Sequence, residues 1–238
     1  MKVGKIYSAL RKRFNRTFRG RYFVVTRNNR NFLIDAYDYV SRQIEMNGVY
    51  EREQVDFFLD AMRERSCTAF IDVGANLGQY SILAASDPDI EIHSFEPDLR
   101  IGHHLAANLF INKLDDRIHL HPYSLSNSDG SAKFHRHSDQ NRGRSGLDES
   151  GQFIVETRKL DSVFDWRGRA IAMKVDIEGH ELAFIEGARE FLLGNQCICQ
   201  IEVLDQLAVV EQTMNDLGYS RFHSIGNDHY FENGSSAK

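Results

Sequence analysis

AFIDVGANLGQYS, residues 69–81, decides the fold. Residues 69–73 read as a short apolar strand, and residues 74–78 hold two glycines. An apolar helical pattern, QYSILAA, follows from Gln79. A strand apolar along both faces belongs inside a parallel sheet covered on each side. Gly74 permits a tight turn with close ligand approach, and Gly78 lets helix and strand pack closely. The spacing is G-x-x-x-G, with Asp72 two residues ahead of the first glycine. It is neither the G-x-G-x-x-G of pyrophosphate binders nor a Walker loop.

The alternation continues outward from this stretch. EIHSF (91–95), RIHLH (117–121), AIAMKVD (170–176) and CICQIEV (197–203) read as further strands. Ile101, Leu105 and Leu109 stripe one intervening helix, and Leu207, Val210, Met214 and Leu217 another. A helix after residue 176 is expected to run to about Leu193 and stop at Gly194. YSRFHS (219–224) and HYFE (229–232) are expected to close the sheet as an antiparallel pair turning at 226–228. Upstream, YFVVTRNNRNFLID (22–35) predicts a hairpin about Asn28 and Asn29. Val55, Phe58, Leu59 and Met62 mark a helix with one buried face. The expected fold class is α/β, a doubly wound Rossmann-like sheet, mainly parallel, with an N-terminal β-hairpin and helix extension. Residues 1–65 form the extension (basic arm, hairpin and helix), 66–232 the main domain, and 233–238 a frayed tail.

Composition narrows the classes. At 238 residues the chain suits one large α/β domain, and 42% hydrophobic against 26% charged residues can bury a core. Three cysteines, Cys67, Cys197 and Cys199, argue against a disulfide framework and for a reducing compartment. Cys197 and Cys199 read as small buried hydrophobes on one strand face. No stretch approaches a membrane span, and residues 1–14 lack the apolar run of a signal peptide, so a cytoplasmic protein is expected. Ten of the 29 Lys and Arg, and none of the 34 Asp and Glu, lie in residues 1–30. Such an arm suits a phosphate-bearing substrate, an anionic membrane surface or nucleic acid, or is simply solvated.

In doubly wound sheets, ligands bind beyond the carboxyl ends of the strands, near the switch in strand order. Glu96 follows the second strand, 24 residues beyond Asp72. A carboxylate there accepts hydrogen bonds from ribose hydroxyls. Ser124-Leu125-Ser126-Asn127, after the third strand, is placed to flank an adenine ring. The densest polar run is Lys174-Val175-Asp176-Ile177-Glu178-Gly179-His180-Glu181. Lys174 and Asp176 share one strand face, an expensive arrangement in a parallel sheet unless they are paired or used. Glu178 and Glu181 suit a helix start, but capping does not explain four charged groups around one strand end. Glu202 is expected to join them from the neighbouring strand.

FIDVGANLGQYS, HSFEP, TRKLDSVF and above all KVDIEGHE followed by GA resemble the FkbM family of S-adenosylmethionine-dependent methyltransferases. The resemblance runs from about the hairpin to residue 205. It implies the seven-stranded methyltransferase sheet and O-methylation of natural products, sugars or cell-surface glycans. It further implies that Asp72, Gly74, Asn76 and Gly78 hold the methionine end of S-adenosyl-L-methionine, Glu96 the ribose and Ser124 the adenine side. Lys174, Asp176, Glu178 and His180 would line the reaction site.

The acceptor oxygen must lie about 3–3.5 Å from the methyl carbon with water excluded. An aliphatic hydroxyl needs a base or a metal. Asp176 or Glu178 is the candidate base, with His180 a third, and Asp176 with Glu202 is a candidate Mg²⁺ pair. His119, His121, His135 and His137 would bind Zn²⁺ only if their two segments paired; a solvated polar face is the plainer expectation. Residues 138–152 read as a mobile loop or lid whose Arg142 and Arg144 would meet a sugar or an anionic group. The expected acceptor is a sugar or glycan hydroxyl, with a polyketide or other secondary metabolite next. A nucleotide-binding oxidoreductase and a non-catalytic interaction module compete with the enzyme reading. Nothing resembling an N-P-P-Y motif supports a nucleic-acid acceptor.

Overall fold

The computed structural model describes residues 20–234 apart from 139 and 141. Most of the basic arm and the end of the tail lie outside the described residues. Strands β1 (Tyr22–Arg27) and β2 (Arg30–Asp35) form the expected hairpin. Asn28 and Asn29 both take positive φ, as a two-residue turn of this kind requires. Helix α1 (Tyr39–Asn47) is absent from the sequence reading, though Asp38 caps it by accepting from the Ser41 N–H at 2.8 Å. Helix α2 (Arg52–Glu64) buries the expected stripe of Val55, Phe58, Leu59 and Met62.

The alternation then proceeds much as read: β3 (Ala69–Val73), α3 (Gln79–Ala84), β4 (Glu91–Phe95), α4 (Leu99–Ile111) and β5 (Ile118–His121). Residues 124–158 depart from it. They supply β6 (Ser124–Leu125), β7 (Gly130–His135), β8 (Gly146–Leu147) and β9 (Phe153–Arg158), which make a separate four-stranded sheet. The main alternation resumes with α5 (Leu160–Val163), β10 (Ala170–Val175), α6 (Glu181–Gly187), α7 (Arg189–Gly194), β11 (Gln196–Glu202) and α8 (Leu207–Asp216). The single helix expected to reach Leu193 is thus two, broken just after Gly187, glycine being a poor helix former. Strands β12 (Ser220–Ile225) and β13 (Asp228–Glu232) end the sheet.

The main sheet has seven strands in the order β12-β13-β11-β10-β3-β4-β5. β5, β4, β3, β10 and β11 run parallel, and β13 is antiparallel to β11. The chain winds outward from β3 to β5, then returns across the sheet to β10. The switch in strand order therefore lies between β3 and β10, where such folds open a ligand crevice.

Two buried clusters cover the faces of the sheet. Val25, Phe32 and Ile34 of the hairpin and Ile44 of α1 share one cluster with Phe70, Ile82 and Leu105. The extension is therefore built into the core. Asn108 ties it further: its Oδ1 accepts from the Leu33 N–H and its Nδ2 donates to the Leu77 carbonyl, at 2.7 and 2.9 Å.

His119 and His121 lie on β5 of the main sheet, whereas His135 ends β7 of the second sheet and His137 follows it. The four-imidazole arrangement does not form. His119 and His121 instead stack on His93, whose Nδ1 lies 2.9 Å from His121 Nε2.

Candidate active site

Two cavities meet at the carboxyl ends of β3 and β10. The first is lined by Gly74, Asn76, Glu96, Ser124 and His180, among others. The second has Tyr39, Tyr50, Glu51, Glu178 and Glu202 in its walls. Asn76, Gly143 and Asp176 border both, so the cavities share a wall.

The glycine turn shapes the first cavity. Gly74 has φ +78°, and a Cβ there would stand 1.9 Å from the Asp176 carbonyl oxygen. The loops after β3 and β10 can lie this close only because residue 74 has no side chain. Gly78 lies outside the cavity linings; a Cβ on it would meet Leu105 Cδ1 at 2.1 Å, so it serves helix packing. Asn76 takes φ +51°, a left-handed conformation that asparagine tolerates.

Glu96 is buried, with Oε2 accepting from the Asn76 N–H at 3.0 Å and Oε1 from the Asp98 N–H at 2.9 Å. Each oxygen keeps a lone pair for a ligand hydroxyl. Burial pushes its pKa up to about 8, against the pull of those two donors. Ile101, Phe134, Leu147 and Ile177 give the same cavity apolar walls, as a purine ring needs. His180 faces this cavity and is absent from the lining of the second. Its Nε2 lies 2.9 Å from Ser126 Oγ, and burial lowers its pKa.

Asp72 and Lys174 lie behind the cavity linings. Asp72 is buried, accepts from Ser81 Oγ–H at 2.6 Å, and stands opposite Lys174 in the β3–β10 register. Lys174 donates to Asp176 Oδ2 at 2.8 Å. Although burial works against its charge, Asp176 and Asp72 raise the Lys174 pKa. Burial likewise opposes ionisation of Asp176, but Lys174 and a hydrogen bond from Glu202 hold it below its ordinary value. Glu202 rises to about 9 through burial and the charge of Asp176, so it carries the proton of that bond.

Glu178 is half-buried with φ +53°, an uncommon conformation for a side-chain-bearing residue. Burial, then the charge of Asp176, pushes its pKa up to about 7. Asp176, Glu178 and Glu202 each bring one carboxylate oxygen within 4.8 Å of the others.

The segment read as a mobile loop contributes residues 142, 143 and 145–147 to the wall of the first cavity. It holds a 3₁₀ turn, Arg142–Arg144, and strand β8. Arg142 borders the first cavity with its charge already partnered. It is buried, and its guanidinium binds Asp35 Oδ2 at 2.7 Å. A charge this deeply buried needs such a partner, and Asp35 is supplied by the hairpin 107 residues earlier. Arg144 does line the second cavity.

Sequence reading missed the wall made by Tyr39, Tyr50 and Glu51. The run DAYDY (35–39), rich in acids and aromatics between a hairpin and a helix, was its available signal.

The methyltransferase FkbM domain model matches residues 72–221. No curated protein matches the chain. Among similar solved structures is methyltransferase FkbM from Methylobacillus flagellatus KT, at 16% identity and TM-score 0.49. The alignment covers 70% of this chain and 43% of that one, so this chain spans less than half its length. Precorrin-6y C5,15-methyltransferase from Geobacter metallireducens GS-15 aligns at 14% identity and TM-score 0.47, over 77% of this chain and 89% of that one. PigF, solved with SAH, aligns at 12% identity and TM-score 0.45, over 81% and 57%.

Proposed function

The chain belongs to the FkbM methyltransferase family, and from that premise we propose that it transfers a methyl group from S-adenosylmethionine to a hydroxyl of a sugar or glycan. The observation that carries this reading is the meeting of the two cavities at Asp176. A cofactor and an acceptor can reach one another only across that wall.

The first cavity is assigned to the cofactor on its lining residues. Glu96 would accept the ribose hydroxyls, and Gly74 and Asn76 would border its methionine end. Ser124 and His180 would lie toward the adenine. His180 is then a binding residue rather than the base. Asp72, Gly78 and Lys174 would act from behind, holding the strand ends in place. When bound, the cofactor supplies a methyl group already activated by its positive sulfur.

The second cavity suits a polyhydroxyl acceptor. Its carboxyl groups accept hydroxyl hydrogen bonds, and Tyr39 and Tyr50 offer aromatic surface to an apolar ring face. Glu178 is the base: it stands in this cavity, and a pKa near neutrality suits proton removal at neutral pH. Asp176, kept ionised by Lys174, orients the hydroxyl beside it. A hydroxylated secondary metabolite remains the second acceptor class. The compartment expected is cytoplasmic; no helix among the described residues is long and apolar enough to cross a membrane.

Base catalysis also accounts for the acidic trio without Mg²⁺. Lys174 already neutralises Asp176, and Glu202 holds a proton, so two of the three carboxyls are taken. Methyl transfer is therefore expected to survive exhaustive EDTA treatment within about twofold. The assay supplies ¹³C-methyl S-adenosylmethionine with a panel of hexoses, deoxyhexoses and phenolic alcohols, and identifies the product by NMR. A methoxy carbon is the expected product. Label on nitrogen or carbon would contradict O-methylation, and loss with EDTA restored by Mg²⁺ would contradict the metal-free base.

A further inference from the structure

We propose that Gln79 is a positioning residue that fixes the wall of the acceptor cavity to the cofactor loop. The proposal rests on the assignment of the two cavities above. Gln79 follows Gly78 directly, opens α3 and is buried. Its side chain does not line either cavity. Its amide instead grips the main chain of one distant residue: Oε1 accepts from the Tyr50 N–H and Nε2 donates to the Tyr50 carbonyl, both at 2.8 Å.

This grip falls on the residue that most needs one. Tyr50 and Glu51 end the four-residue connection, 48–51, between α1 and α2, and both line the acceptor cavity. Glu51 takes φ +52°, a strained conformation that persists only where its surroundings impose it. Tyr50 in turn meets Tyr39 edge-on, ring centres 5.9 Å apart, so fixing Tyr50 also sets Tyr39. Glu51 faces the charged centre, with Lys174, Asp228 and Asp176 all acting on its carboxyl. A buried amide making two hydrogen bonds to one peptide segment allows it little translation or rotation. The acceptor wall therefore takes its position from the turn Gly74–Gly78. Ordering of that turn by a bound cofactor orders the wall.

The test uses the full chain, S-adenosylhomocysteine as probe, and hydrogen–deuterium exchange of peptides covering 48–52. Calorimetry and thermal melting run in parallel. In the wild type, saturating probe is expected to slow exchange at 48–52 at least fivefold. Gln79→Leu keeps the volume but removes both bonds. It should bind the probe within about threefold of wild type and show no slowing. Gln79→Glu, assayed at pH 6 where a buried carboxyl keeps its proton, retains an acceptor and a donor and should restore the slowing. Probe binding to wild type without slowing at 48–52 would overturn the proposal alone. So would equal slowing in Gln79→Leu. If Gln79→Leu fails to fold, the wild-type and Gln79→Glu arms still decide. Absence of probe binding to folded wild type would overturn the cofactor assignment, and this proposal with it.

Discussion

Glu178→Gln is expected to slow methyl transfer by about 10²–10³-fold while leaving S-adenosylhomocysteine affinity within about threefold. The amide keeps the shape of the side chain but cannot take a proton. Glu178 lines the second cavity, proposed for the acceptor, and is absent from the lining of the first, so the loss should fall on the chemical step. The wild-type pH profile carries the same information. The base works only when deprotonated, so the rate should rise through about pH 7 and level off above it. With cofactor saturating, Glu178→Gln should lose that rising limb. A variant retaining both the limb and the rate would move the base to Asp176.

Lys174→Met is expected to cost stability rather than affinity. The ammonium is buried, donates to Asp176 and faces Asp72 across the strand pair. Asp72 is more exposed to this loss, because its Oδ1 has no hydrogen-bond partner. Removing one partner of a buried charge set costs roughly 3–5 kcal/mol, because the remaining carboxylates lose their compensation. For a chain of this size that is a fall in melting temperature of roughly 6–20 °C. Adding Asp72→Asn should recover part of it, since one stranded charge is then removed. A shift smaller than about 2 °C in Lys174→Met would show that the cluster does not depend on the ammonium.

The sequence was most informative where local pattern and structure coincide. β3, β10 and β11 are short and largely apolar on both faces, as strands of a covered parallel sheet are. Glu96 and the run 174–178 were legible for the same reason: charged residues at the ends of buried strands stand out. The sheet of residues 124–158 was not. β6 and β8 have two residues each, and β7 and β9 are mostly exposed, so their apolar signal is slight.

Long-range pairing hid the rest. Nothing near Arg142 in sequence indicates that Asp35 will pair with it, so it read as a cation that would meet a sugar or an anionic group. Tyr39, Tyr50 and Glu51 lay in a segment read as an appendage. Their place at the cavity follows from the hairpin joining the core and from the Gln79–Tyr50 contact, neither of which leaves a periodic mark. His180 read as lining the reaction site from its neighbours in the chain; the turn at Gly179 brings it to Ser126 and into the wall of the first cavity.

The most direct test of the account is calorimetric titration of S-adenosylhomocysteine against wild type and Glu96→Gln across pH. Ribose hydroxyls donate to the ionised carboxylate, and burial holds free Glu96 near 8. Binding should therefore release a proton, and affinity should rise about tenfold or more between pH 6.5 and 8.5, then level off. The account predicts micromolar binding with that rise in wild type, and weak, pH-independent binding in Glu96→Gln. No binding by folded wild type, or equal binding by both proteins, would contradict it.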